Sequence, residues 1–161
     1  MSEGREETRF IADAMLGSLA RWMRALGCDV EYSPALDDAG VVERGVREDR
    51  VILTRDTGLI KRRKARGRCF FIESDHVADQ LRQVVGRFSL SVRLALIRCL
   101  RCNSMLERAG KGSVPEKVPP YVFKTQDEFS ICPSCGRVYW PGTHRQRMEE
   151  DLALLLGKEK G

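Results

Sequence analysis

Nowhere does this 161-residue chain approach the roughly 18 consecutive apolar residues that a membrane-spanning helix needs. No membrane partner is therefore expected. The first eight residues, Met1 to Thr8, are polar and charged, unlike a secretory leader or an anchor, and the chain reads as cytoplasmic. Aromatic residues are sparse at 7%, and only two histidines are present, His76 and His144. Neither histidine lies in a Ser or Cys pattern that would suggest a nucleophilic triad. There is no G-x-G-x-x-G and no G-x-x-x-x-G-K-[ST], so no dinucleotide or nucleotide cofactor is expected. Asp13-Ala14-Met15 lacks the second acid of a D-x-D strand end, which argues against phosphatases with an aspartyl nucleophile. Internal repeats and low-complexity segments are absent.

What the chain does have is 42% hydrophobic residues, enough for a core, and 32% charged residues. That suits one compact domain and a small appendage. The net charge of +5 is mildly basic. It is concentrated in Lys61-Arg62-Arg63-Lys64-Ala65-Arg66-Gly67-Arg68, where six cations fall in eight residues. Such a block suits phosphate contacts or a solvated helix face.

Four of the six cysteines form two knuckles, Cys99-x-x-Cys102 and Cys132-x-x-Cys135. Two such pairs supply the tetrahedral thiolate set of a closed structural Zn²⁺ site, and in a reducing compartment metal binding is favoured over disulfides. Cys28 and Cys69 are isolated among apolar residues and read as core. The segment between the knuckles, Val114 to Tyr121, is proline-rich and reads as an extended loop. Tyr139, Trp140 and His144 follow the second knuckle and either stack bases or pack the ribbon. His144 reads as a helix-start residue. Thr143 to Leu156 carries Met148, Leu152, Leu155 and Leu156 at helical spacing, an apolar face for docking or for a homodimer.

Ahead of the knuckles, short apolar runs alternate with amphipathic stretches. Strands are predicted at Arg9–Ala12, Asp29–Tyr32, Val51–Thr54 and Cys69–Ile72. Helices are predicted over Gly17–Leu26, from Asp37 or Asp38 to Glu48, over Thr57–Lys64, and from Asp75 or His76 to Phe88. This order implies a parallel sheet covered by helices. Ligands of such sheets bind beyond the carboxyl ends of the strands. Asp13, Asp56 and Asp75 each follow a strand, and Asp37 and Asp38 lie in the loop after the second. Converging carboxylates repel unless a divalent cation lies between them, and Mg²⁺ or Mn²⁺ held so supports phosphodiester cleavage. Each Asp is equally suited to capping a helix.

Phe10-Ile11-Ala12-Asp13-Ala14-Met15-Leu16-Gly17 and Leu19 to Asp29 resemble the opening of the Mut-seven C-terminal RNase family of PIN-like nucleases. The likeness continues through Arg50-Val51-Ile52-Leu53-Thr54-Arg55-Asp56, Arg98 to Asn103 and Phe129 to His144. It covers residues from about 9 to 155. The resemblance implies a PIN-like three-layer α/β/α domain at 9–95, a zinc ribbon at 96–142 and a C-terminal helix at 143–157, with flexible tails at 1–8 and 158–161. It also implies a metal-dependent ribonuclease. Asp13, Asp38 (or Asp37) and Asp56 would hold Mg²⁺ or Mn²⁺, and Asp75 would complete the catalytic set. Thr54, beside Asp56, reads either as a strand-favouring residue or as a hydrogen-bond partner of a carboxylate or phosphate oxygen. Arg21, Arg24, Arg55, Lys61, Arg62, Arg63 and Lys64 would grip the backbone of RNA, the single-stranded form above all, unless the long stems of Arg21 and Arg24 only cover the helix surface. The competing expectation is a non-catalytic RNA-binding or ribosome-associated adaptor built on the ribbon and the basic strip.

Overall fold

The computed structural model describes residues 7–157; the remainder of the expected tails, 1–6 and 158–161, lies outside the described residues. Four short strands, β1 (Arg9–Ala12), β2 (Asp29–Tyr32), β3 (Val51–Thr54) and β4 (Cys69–Phe71), form a parallel sheet in the order β2-β1-β3-β4. Successive side chains on a strand face opposite sides. Phe10 and Ala12 accordingly join one core while Ile11 joins the other, and Leu53 and Ile52 divide the same way. Both faces are covered, so β1 reads as an unbroken apolar run rather than an alternation.

The larger core is closed by α1 (Gly17–Ala25), α4 (Val77–Phe88) and α6 (Thr143–Leu155), through Leu19, Met23, Leu81, Val84 and Leu152. The opposite face is closed by α2 (Asp38–Arg47), α3 (Thr57–Ile60) and Ala65, which sits in a 3₁₀ turn, Arg63–Ala65. This is the expected three-layer α/β/α architecture. Gly45 lets α2 approach closely: a Cβ there would lie 2.8 Å from Cγ1 of Ile52. The predicted helix over Thr57–Lys64 stops at Ile60, because Arg62 turns extended (φ −67°, ψ 133°) so that Ala65 can be buried. The cation block therefore does not lie along one helix face.

The ribbon sheet, β5 (Glu107–Ala109), β6 (Phe129–Ile131) and β7 (Val138–Tyr139), is antiparallel. The loop expected between the knuckles is instead folded. Val114, Val118, Val122 and Phe129 make a small core, and α5 (Pro120–Thr125) starts on Pro120. Proline suits a first helical turn, where its missing N–H has no partner to lose. Trp140 packs edge-on against Phe129 at 6.5 Å.

Ribbon and main domain are joined by buried polar side chains. Arg24 at the end of α1 donates Nε to Val30 O (2.9 Å) and Nη1 to Leu100 O and Arg101 O (3.0 and 3.1 Å). Asn103, just past Cys102, accepts from Val30 N–H at 3.0 Å and donates Nδ2 to Asp29 at 2.7 Å. Within the main domain, Arg50 donates to Glu48 (2.7 Å), Phe10 O (3.0 Å) and Asp29 (2.8 Å), the same carboxylate that Asn103 reaches from the ribbon. Met148 and Leu152 are buried within the chain, which uses the stripe named for a dimer and leaves Leu154 of α6 exposed. No helix among the described residues is long and apolar enough to cross a membrane.

Candidate active site

Three strand ends deliver the acids. Asp13 follows β1 directly, and its N–H donates to Leu53 O at 3.0 Å. Its carboxylate is 4% exposed. Oδ1 accepts from Met15 N–H at 3.0 Å, capping the 3₁₀ turn Ala14–Leu16. Oδ2 accepts from the Thr54 hydroxyl at 2.5 Å. That same hydroxyl accepts the Asp56 N–H at 2.9 Å, so one fully buried threonine at the end of β3 sets Asp13 and Asp56 relative to each other. Asp56 caps α3 through Gly58 N–H at 2.8 Å.

After β2 the two neighbouring acids divide their work. Asp37 caps α2 through Gly40 N–H at 2.8 Å. Asp38, in the first turn of α2, comes beside Asp56, close enough for the two carboxyls to share a proton when one is protonated, although β2 and β3 are separated in the sheet by β1. The shared hydrogen bond with Asp56, then burial and the charges of Asp56 and Asp13, raise Asp38 above the ordinary carboxylate range. The same hydrogen bond from Asp38, then the Gly58 N–H, lowers Asp56. Capping and clustering are thus compatible, since a cap uses one carboxylate oxygen and leaves the other.

Asp75 is not brought into this group. It is exposed beyond β4 and lies 3.5 Å from His76 Nε2. Arg62 faces the cluster, where its charge favours ionisation of both Asp38 and Asp56. Lys61, Arg63 and Lys64, its chain neighbours, are exposed; Arg21 on α1 is also exposed but lines a cleft with Trp22 and His144 instead. Arg55 donates Nη2 to Glu73 O at 3.3 Å, and its buried Nε has no partner among the described residues. Arg24 corrects the sequence reading: at 4% exposure, with its guanidinium on three carbonyls, it clamps the ribbon and is closed to RNA.

At the other end of the sheet, Sγ atoms of Cys99, Cys102, Cys132 and Cys135 lie within 4.8 Å of one another. Among the described residues this is the only group of acids, thiols or imidazoles gathered so tightly; the carboxylates at the strand ends are spread more openly. Cys99 and Cys135 are 3.8 Å apart, which is about the sulfur separation of a tetrahedron with metal–sulfur bonds of about 2.3 Å. The knuckles repeat one backbone geometry. Cys102 N–H and Cys135 N–H each point at the first sulfur of their pair at 3.4 Å. Asn103 (φ 70°) and Gly136 (φ 78°) take the left-handed position that follows. Tyr139 supports the set, its hydroxyl 3.3 Å from Cys99 Sγ and accepting Leu100 N–H at 3.1 Å. Burial and then the neighbouring thiols push Cys102 up to about 12. Four such sulfurs can hold a metal ion such as zinc. Cys28, pushed up to about 11 by burial, packs on the larger core as expected.

Sequence reasoning missed Asn103, Arg50 and the role of Tyr139. Asn103 did carry a signal. It stands where the second knuckle has glycine, and an asparagine at a left-handed position often has work for its amide.

A parallel sheet with acids at its carboxyl edge and a four-cysteine ribbon at its base defines an α/β domain with two separate polar centres. The chain belongs to the Mut7-C RNAse domain family, whose model matches residues 8–152. Membership points to a nuclease-like function. Neither the curated proteins nor the solved structures match it.

Proposed function

We propose that this chain is a metal-dependent ribonuclease that hydrolyses phosphodiester bonds of single-stranded RNA. The observation that carries the reading is the meeting of Asp13, Asp38 and Asp56 at one sheet edge, from three different strand ends. Their donor set, carboxylate oxygens on hard supports with like charges adjacent, fits Mg²⁺ or Mn²⁺. Such an ion lowers the pKa of a bound water and offsets charge on the phosphate.

The chain's own part is positioning. Thr54 fixes Asp13 and Asp56, and the α2 N-terminus carries Asp38 across to them. Arg62 sits beside the acids to receive a phosphate oxygen, with Lys61, Arg63 and Lys64 along the backbone path. Water adds to phosphorus, the bond to the leaving ribose oxygen breaks, and that oxygen takes up a proton. Asp75 is set apart from the metal group and has no part in this step. The four cysteines would carry structural Zn²⁺.

The test is cleavage of a labelled single-stranded RNA in Mn²⁺ and in Mg²⁺, with Asp13→Asn and Asp56→Asn beside wild type. Asp56→Asn keeps an oxygen for Gly58 N–H; Asp13→Asn keeps one for Met15 N–H but turns its NH2 toward Thr54 Oγ1, so circular dichroism of each variant is recorded beside the cleavage. Loss of at least about 100-fold in rate is expected, given what metal-bound water contributes. Variants that cleave as fast as wild type would sink the assignment. RNA retained on the protein without cleavage in either metal would favour the adaptor.

A further inference from the structure

Two adjoining clefts lie away from the acids, between the ribbon, α6 and α1. The larger, about 240 Å³, is walled by Tyr139, Trp140, His144 and Met148, with Arg108 and Arg145 at its mouth. The smaller, about 100 Å³, is walled by Trp22, His144 and Met148, with Arg21 and Arg147 beside them. His144 and Met148 line both, so the two clefts meet at these side chains and are treated together as one groove. It contains both tryptophans of a chain with few aromatics.

We propose that this groove seats unstacked bases of single-stranded RNA, leading the strand from the ribbon along α1 toward the acidic edge. The inference rests on RNA being the substrate. Three observations point to this occupant. First, four arginines, Arg21, Arg108, Arg145 and Arg147, face two acids, Glu128 and Asp151, a balance that favours a polyanion. Second, two of the arginines are only loosely held. Arg108 meets Glu128, and Arg145 meets Glu149, only at 3.4 Å in exposed pairs, and such pairs are weakly held. Third, flat aromatic side chains beside cations are what sequence-tolerant single-strand binding uses.

The direction follows from topology. Asn103 fixes the ribbon at the start of β2, whereas the acids lie past the strand ends, and α1 runs between the two levels. Its nine residues span about 14 Å, so only a strand several nucleotides long reaches from the groove to the acids.

The experiment uses the full, zinc-loaded chain carrying Asp13→Asn, which stops cleavage without removing the groove. A 12-nucleotide oligouridine is titrated while tryptophan fluorescence and the anisotropy of a label on the RNA are followed. Expected are quenching on binding and an affinity at least about tenfold weaker when His144→Ala and Arg145→Ala are added, the scale of one lost stacked base. A shallower salt dependence should accompany it. Zinc content and circular dichroism of the variant, measured alongside, exclude misfolding. Equal affinity with and without these two changes overturns the groove while leaving the nuclease reading intact. Equal binding of a duplex of the same length also overturns it, since a duplex has no free bases. No RNA bound by any form, together with no cleavage by wild type, overturns both readings.

Discussion

Asn103 offers the sharpest test of how the ribbon and the sheet are joined. Its side chain is buried, accepting from Val30 N–H at 3.0 Å and donating to Asp29 at 2.7 Å. Asn103→Ala leaves the Val30 N–H buried without a partner, a cost of about 1–3 kcal/mol. It also removes a hydrogen bond to a charged carboxylate, worth about 1.5 kcal/mol. A non-glycine residue at φ 70° adds about 1 kcal/mol once the asparagine amide is gone. Allowing for overlap between these losses, about 3–4 kcal/mol is expected for alanine, and about 1 kcal/mol less for glycine. In a domain of this length that lowers Tm by about 10 °C. Asn103→Asp keeps the acceptor but sets a carboxylate against Asp29 and Glu31, so it should fall with alanine rather than with wild type. The assay is urea unfolding of the variants prepared with zinc, with bound zinc measured in each, because Asn103 follows Cys102 of the four-thiol group. An alanine variant within about 0.5 kcal/mol of wild type at equal zinc content would refute the clamp.

Changing Cys99 and Cys132 together to serine should release about one metal ion per chain by elemental analysis and lower Tm. Because Arg24 and Asn103 tie the ribbon to β2, amide exchange should also rise in Asp29–Tyr32; protection unchanged there would show that the ribbon is not coupled to the sheet. Glu48 contributes to the acid sensitivity. Burial opposes its charge, but hydrogen bonds from Arg50 and Arg44 outweigh this and hold it at about 2. With the folded value below the ordinary carboxylate range, the unfolded chain takes up the proton first. The stabilisation is therefore complete above about pH 5 and is lost as pH falls toward 2. Glu48→Gln should lower Tm at pH 7 and flatten its decline between pH 5 and 3. Parallel declines in the two proteins would contradict the assignment.

The four parallel strands were legible because residues buried on both faces, such as Phe10, Ile11 and Ala12, make apolar runs that turn residues bound. Helices α1, α2, α4 and α6 were legible from apolar spacing, the gathering of four thiols from their own spacing, and the family from matched blocks of residues. All of these are properties of neighbours along the chain. Tertiary structure alone assigned Asp37 to a cap and Asp38 to Asp56, because that choice depends on a loop after β2 crossing to the end of β3. It also buried Arg24, whose partners Leu100 and Arg101 lie in the ribbon. It folded the proline-rich segment around Val114, Val118 and Val122, where a few valines suffice only once Phe129 and Trp140 cover them. The exposed Asp75 and the buried Asp13 are alike in sequence, each an acid after a strand. Thr54, donating from the adjacent strand, separates them.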